Sequence, residues 1–179
     1  MMERIKLFGS KREKIYTMLR LAGWYENRKV DISKAESYYK SIDLEMFDSV
    51  KAFYREFYGI AEDWYIKVED INWAPDFEFM LFPFENVNFG IKDYMFDDAE
   101  YKILSLGYKN VLSLAKEECV IIGNIGYYYP ARVWMDKRGN FYTTHEYSDD
   151  VKVFASVIEL IEDELSCVEL DTVMIPNKF

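Results

Sequence analysis

His145 is the one histidine of the chain, and general acid–base chemistry would start from it. A histidine base needs a nucleophile and an orienting carboxylate within hydrogen-bond reach. No G-x-S-x-G elbow and no caspase- or papain-like cysteine signature accompanies it. His145 therefore reads as a surface or hydrogen-bonded residue directly after a strand. The two cysteines, Cys119 and Cys167, form neither a disulfide framework nor a close pair of zinc ligands. The eight glycines never approach G-x-x-x-x-G-K-[ST] or G-x-G-x-x-G. Gly123-Asn124-Ile125-Gly126 comes nearest, and it reads as a bend or bulge between strand segments. No catalytic residue, no metal and no cofactor is expected.

Paired carboxylates could serve a glycosidase, but the acid doublets Asp97-Asp98, Glu117-Glu118 and Asp149-Asp150 are sequence neighbours, and neighbouring side chains on a helix diverge. Doublets at helix starts stabilise the positive end of the helix dipole, and Asp149-Asp150 reads that way. Glu159, Glu162, Asp163 and Glu164 instead crowd the end of the last helix, where the dipole disfavours them. Either acid is wanted there for another purpose or the face is simply solvated. Tyr127-Tyr128-Tyr129-Pro130 cannot all point into one core if extended, because successive side chains alternate. An exposed tyrosine there would be an interface anchor or a cover for the sheet edge.

These residues need a scaffold, and composition bounds it. A chain of 179 residues buries roughly 70% of its unfolded surface, enough for one domain without disulfides or metal. Half the residues are hydrophobic and 18% aromatic, which excludes disorder for most of the chain. The 32 acidic against 22 basic residues leave a net charge of −10. Nucleic-acid binders carry a basic footprint, so direct nucleic-acid binding is not expected. A basic protein would be attracted, although acidity also aids solubility. The N-terminal residues contain no apolar run suited to a signal peptide or a membrane span, and cysteines are few. A cytoplasmic protein without a membrane partner is expected.

Ser10 with Glu13 has capping-box form, and Ile15, Met18, Leu19 and Ala22 follow before Gly23, predicting a first helix. Ser33 with Glu36 opens a second through about Lys40. Phe47, Val50, Phe53, Tyr54 and Phe57 predict a third, stopped at Gly59. Trp64 to Val68 and Phe77 to Phe82 read as strands. Helix follows from Asp97 to Leu106, continuing after Gly107 to Lys116. Val120 to Ile122, Ala131 to Met135 and Phe141 to Thr144 are strands, the last two joined by a tight hairpin at 136–140. Val151, Phe154, Ile158, Ile161 and Leu165 predict a closing helix capped by Ser148 or Asp149. Residues 168–179 read as an edge strand or a frayed tail. The order lacks regular βαβ alternation, so the fold class is α+β: a largely antiparallel sheet flanked by N-terminal helices and a closing C-terminal helix.

Gly23-Trp24, then Arg28 and Asp31, the aromatic helix Phe53 to Gly59, and the segment Val133 to Tyr142 with its following amphipathic helix resemble the SUKH superfamily, and within it the third subgroup. The resemblance runs from roughly Ile15 to Glu164. It implies one domain over 1–179, with its core at about 15–164 and a C-terminal extension at 168–179. It also implies an immunity protein of bacterial polymorphic toxin systems, which binds and neutralises a cognate toxin domain, often a nuclease, without catalysis. Gly23, Trp24, Arg28, Gly59, Asp136 and Gly139 then read as scaffold. Trp24 and Arg28 could stack, or Arg28 could pair with a carboxylate. The middle region, Trp64 to Lys116, departs most from the pattern, and its loops would choose the toxin. The expected interface takes the acidic and aromatic positions of the later half: Asp97, Asp98, Glu100, Glu117, Glu118, Tyr127, Tyr128 and Tyr129. Two other readings stay open. One is a small-ligand or catalytic domain with a pocket around His145; the other is a regulatory adaptor.

Overall fold

The computed structural model describes residues 3–41, 43–66, 75–81, 106–145 and 148–176. The first helix is built as its sequence demands. In α1 (Lys11–Leu21) the Ser10 hydroxyl accepts from the Glu13 backbone N–H, and the Glu13 carboxylate accepts from the Ser10 N–H, 2.7 Å away. Two orphan donors of the first turn are thereby satisfied. Ile15, Met18 and Leu19 form its buried stripe.

The second helix, α2 (Ser33–Ser41), differs from its capping-box reading. Ser33 lies inside the helix, and the side chain two residues earlier does the capping: the Asp31 carboxylate accepts from both the Ser33 N–H and its hydroxyl, each at 2.9 Å. In α3 (Asp48–Phe57), Val50, Phe53, Tyr54 and Phe57 are buried while Asp48 and Arg55 face solvent.

Six strands form one antiparallel sheet in sequence order: β2 (Asp63–Trp64), β3 (Phe77–Met80), β4 (Cys119–Tyr127), β5 (Ala131–Asp136), β6 (Phe141–Thr144) and β7 (Val151–Phe154). A small second sheet pairs β1 (Ile5–Lys6) with β8 (Thr172–Val173), so the C-terminal extension carries a paired strand. The helix α4 (Leu106–Ala115) covers one face of the large sheet, burying Tyr108, Val111 and Ala115 against Cys119, Trp134 and Tyr142. The opposite face receives α1, α2, α3 and α5 (Val157–Glu164) in one larger core. An α+β fold with an antiparallel sheet, N-terminal helices and a closing helix is what the chain adopts.

Strand β4 is longer than the segment 120–122, and the glycine pair lies inside it. Its register to β5 shifts between Ile121 and Gly123, a β-bulge at Ile122. Before the bulge, Val120 and Ile122 join the larger core, while Cys119 and Ile121 join the smaller one. After it the parity is reversed, and Ile125 rather than Asn124 packs into the larger core. A Cβ at Gly123 would stand 2.1 Å from the Met80 carbonyl oxygen, so only glycine admits this approach of β3. The carbonyls at the bulge are supplied from the helices. The Tyr39 hydroxyl of α2 donates to Ile121 O at 2.7 Å, and the Tyr54 hydroxyl of α3 donates to Ile122 O at 3.0 Å. The two hydroxyls lie 3.0 Å apart, and burial pushes both phenols well above the ordinary tyrosine value. They stay protonated and able to donate.

The β5–β6 hairpin turns on the buried Asp136. Its carboxylate accepts from the Arg138 and Asn140 N–H groups, the Asn140 amide and the Tyr142 hydroxyl, at 2.8–3.0 Å. Burial acts to raise its pKa, but the Asn140 and Tyr142 hydrogen bonds and the Arg138 charge outweigh that and hold it below the ordinary carboxylate value.

Two expectations are corrected. Val151–Phe154 is a strand, not the first turn of the closing helix. Val151 and Phe154 have helical spacing with Ile158, but the run V-K-V-F alternates equally well, and β6 needs a partner for its outer backbone groups. The helix begins only at Val157, where the Ser156 hydroxyl accepts from the Glu159 N–H. Asp149 and Asp150 therefore cap no helix; they are exposed and lead into β7. Gly107 lies within α4 rather than between two helices. The helix expected at 97–106 lies outside the described residues except for its last position, which opens α4.

Removing one tyrosine hydroxyl at the bulge leaves a buried carbonyl without its donor, at a cost of about 1–3 kcal/mol. Tyr54→Phe and Tyr39→Phe are each expected to lower stability to urea by that amount. Because the hydroxyls also contact each other, the double variant is expected to lose less than the sum. Additive losses in equilibrium unfolding would show that the two groups act independently.

Candidate interaction surface

Two ends of the sheet carry those nominated residues that fall among the described ones. Tyr127 ends β4, and Tyr128 and Tyr129 form the turn into β5. Tyr127 packs partly against the larger core, whereas Tyr128 is 57% and Tyr129 75% exposed. The turn is held at three points. Tyr128 donates its N–H to Asp76 O at 2.9 Å, Tyr129 donates to Tyr127 O at 2.8 Å, and the rings of Tyr127 and Tyr128 meet edge-to-face at 4.5 Å. Tyr128 takes φ +61°, which is costly for an aromatic residue and persists only where its surroundings impose it. The Tyr128 ring is thereby held against Tyr127, and the exposed Tyr129 follows it on a hydrogen-bonded backbone.

Glu117 and Glu118 precede β4 at the other end. Nine residues of strand at about 3.3 Å each put roughly 30 Å between the two groups. Glu117 is engaged by Arg138, with Nη2 to Oε1 2.5 Å, so it is tied to the β5–β6 hairpin; Glu118 is exposed. Asp97, Asp98 and Glu100 lie outside the described residues.

His145, one residue past β6, shares the tyrosine end. Its Nε2 lies 3.3 Å from Glu164 Oε1, on a carboxylate whose side chain is almost entirely buried. The hydrogen bond that the ring donates to Glu164 raises the histidine pKa, partial burial opposes it, and the Glu164 charge adds to the rise. Gly126 makes room for this carboxylate, since a Cβ there would come within 2.9 Å of Glu164 Oε2. The acids at the end of α5 thus have tertiary partners. Arg12 of α1 forms a two-point pair with Glu162, Lys152 of β7 reaches Asp163 at 2.6 Å, and His145, just after β6, holds Glu164. Lys11 donates to the Leu165 carbonyl at the same helix end. Cations from α1 and β7, joined by His145 when it is protonated, offset the dipole penalty that the sequence leaves unexplained.

Trp24 and Arg28 are scaffold. The Trp24 indole donates to Glu56 Oε1 at 2.9 Å and stacks on Phe57, and Arg28 donates to the Glu56 carbonyl at 2.8 Å. An open depression of about 680 Å³ lies between the end of α2 and the start of α3, walled by Glu36, Asp43, Glu45, Lys40 and Lys51. His145 is not among its lining residues. Among the described residues, no three His, Cys, Asp or Glu side chains gather as a metal site, and no helix is long and apolar enough to cross a membrane.

Sequence reasoning missed two things here. Ser156-x-x-Glu159 is a capping signal that marks the true start of α5. Recognising it would have released Val151–Phe154 to the sheet and Asp149-Asp150 to the surface. The pairing of His145 with Glu164 left no local trace, because the two residues meet only through the packing of α5 on the sheet.

A folded-state pKa above the ordinary histidine value of 6.5 means that the His145–Glu164 pair contributes its stability below about that pH and loses it as pH rises through the folded value. Because the chain has one histidine, its NMR titration is unambiguous. Glu164→Gln is expected to return the midpoint toward 6.5 and to flatten the loss of stability above it. An unchanged midpoint in that variant would show that Glu164 does not set it.

The SUKH-3 immunity protein family matches the chain over residues 11–163. No curated protein and no solved structure matches it.

Proposed function

From the premise that the chain belongs to the SUKH-3 immunity protein family, we propose that it binds a cognate toxin domain and neutralises it by covering the toxin's active or nucleic-acid-binding face. The family match carries this reading, and two physical features support it. A net charge of −10 suits a basic partner such as a nuclease, because complementary charge speeds encounter. The rigid Tyr128–Tyr129 turn supplies aromatic anchors of the kind that dominate protein interfaces.

The contact surface proposed here centres on Tyr128 and Tyr129, with Tyr127 as the buttress behind them. Glu118, Glu117 and the acidic positions Asp97, Asp98 and Glu100 add the negative charge that steers a basic partner. The chain works as one domain, in the cytoplasm of the producing cell, as a blocking partner without chemistry of its own.

Co-expression with the toxin domain encoded beside it should restore growth, and the purified pair should co-elute; no rescue and no complex would sink the pairing. Tyr128→Ala with Tyr129→Ala is expected to weaken the complex by about tenfold or more, as central aromatic anchors do. The association rate should fall as salt rises, and a flat salt dependence would remove charge steering from the account.

A further inference from the structure

Strand β7 is the last strand of the six-stranded sheet, and among the described residues nothing pairs with its outer side. Such an edge presents unpaired N–H and C=O groups to any extended chain, and proteins usually guard it with proline, a bulge or an outward charge. The run Val151-Lys152-Val153-Phe154 has no proline, and its pairing with β6 is regular throughout. Its one charge, the exposed Lys152, is paired with Asp163 of α5 at 2.6 Å on the face opposite Val153. The other face of the strand carries Val151, which packs against the α4 cluster, and Val153, which is 47% exposed.

Leu114 of α4 is 49% exposed. It lies one turn after Asn110, whose amide donates to the Asp149 carbonyl, so this side of α4 faces the β7 edge. At the entry to β7 stand Asp149 and Asp150, both exposed and neither ion-paired with a cation among the described residues. They lie on the same end of the sheet as the tyrosine turn. Three strand spacings, about 14 Å, separate β7 from β4.

We propose that the outer edge of β7 takes up an extended segment of the toxin as a seventh strand, with a basic residue of that segment over Asp149 and Asp150 and an apolar one over Val153 and Leu114. The proposal rests on the immunity reading and specifies the partner's chemistry. Backbone pairing supplies affinity in strand addition, and side-chain contacts supply the choice of segment. Charge complementarity favours a basic partner over a second copy of this chain, because two copies at −10 each repel.

The test uses the full chain and the purified toxin domain encoded beside it. Hydrogen exchange of the wild-type complex should show new protection of the β7 amides. Val153→Glu and the double variant Asp149→Lys/Asp150→Lys should each weaken binding about tenfold or more with unchanged thermal midpoints. The loop variant keeps the test informative should the strand variant perturb folding. A tight complex with unprotected β7 amides, or with affinity unaltered in both variants, overturns the edge proposal and leaves the immunity reading standing. Absence of any complex overturns both. A free-chain dimer that Val153→Glu dissolves would assign the edge to a second copy instead.

Discussion

The bulge at Ile122 is the constraint around which the rest of the molecule is arranged. It interrupts the ladder in the longest strand, next to the closest approach of β3, where the Met80 carbonyl leaves no room for a Cβ at Gly123. Buried carbonyls at such a place need donors, and Tyr39 and Tyr54 bring them from two different helices. Phenylalanine would fill the same volume without meeting that need. The positions of α2 and α3 on the sheet are therefore set by hydrogen bonds as well as by apolar packing.

The same bulge shapes the surface. By reversing the alternation of β4 it places Ile125 in the larger core and Tyr127 against it, so that the strand ends on a buttressed ring with Tyr128 and Tyr129 beyond. It also brings Gly126 beside Glu164, the carboxylate that receives His145. A core irregularity and the most exposed aromatic turn are thus consecutive parts of one strand.

Charge is distributed with similar economy. The end of α5 gathers three carboxylates against its own dipole, and each is answered from a different part of the chain: α1, β7 and the residue that follows β6. These pairs clasp the closing helix onto the sheet and consume acidity that composition alone would assign to a partner. Glu117 is likewise held by Arg138. Asp149, Asp150 and Glu118 stay exposed, so the −10 net charge is an imperfect guide to where a basic partner would be met. For a SUKH-3 immunity protein the sheet end beside the tyrosine turn combines exposed rings with exposed acid, whereas Glu117 and Glu118 stand a strand's length away.

Local rules were enough for much of this molecule. The Ser10–Glu13 cap, the apolar stripe of α3, the Asp136–Asn140 hairpin and the α+β class can all be read from residue spacing, because each depends on contacts within a few residues. The SUKH resemblance was legible for the same reason, since its motifs are helix ends and turns. The start of α5 is ambiguous in the sequence because Val151 and Phe154 fit both periodicities, and only the unpaired outer side of β6 decides between them. The ladder of β4 through Gly123, the donors at Ile121 and Ile122, and the partner of His145 join residues far apart in sequence. Those contacts have no local signature; the packing of helices on a bulged sheet creates them, and with them the separation of the expected interface into two ends.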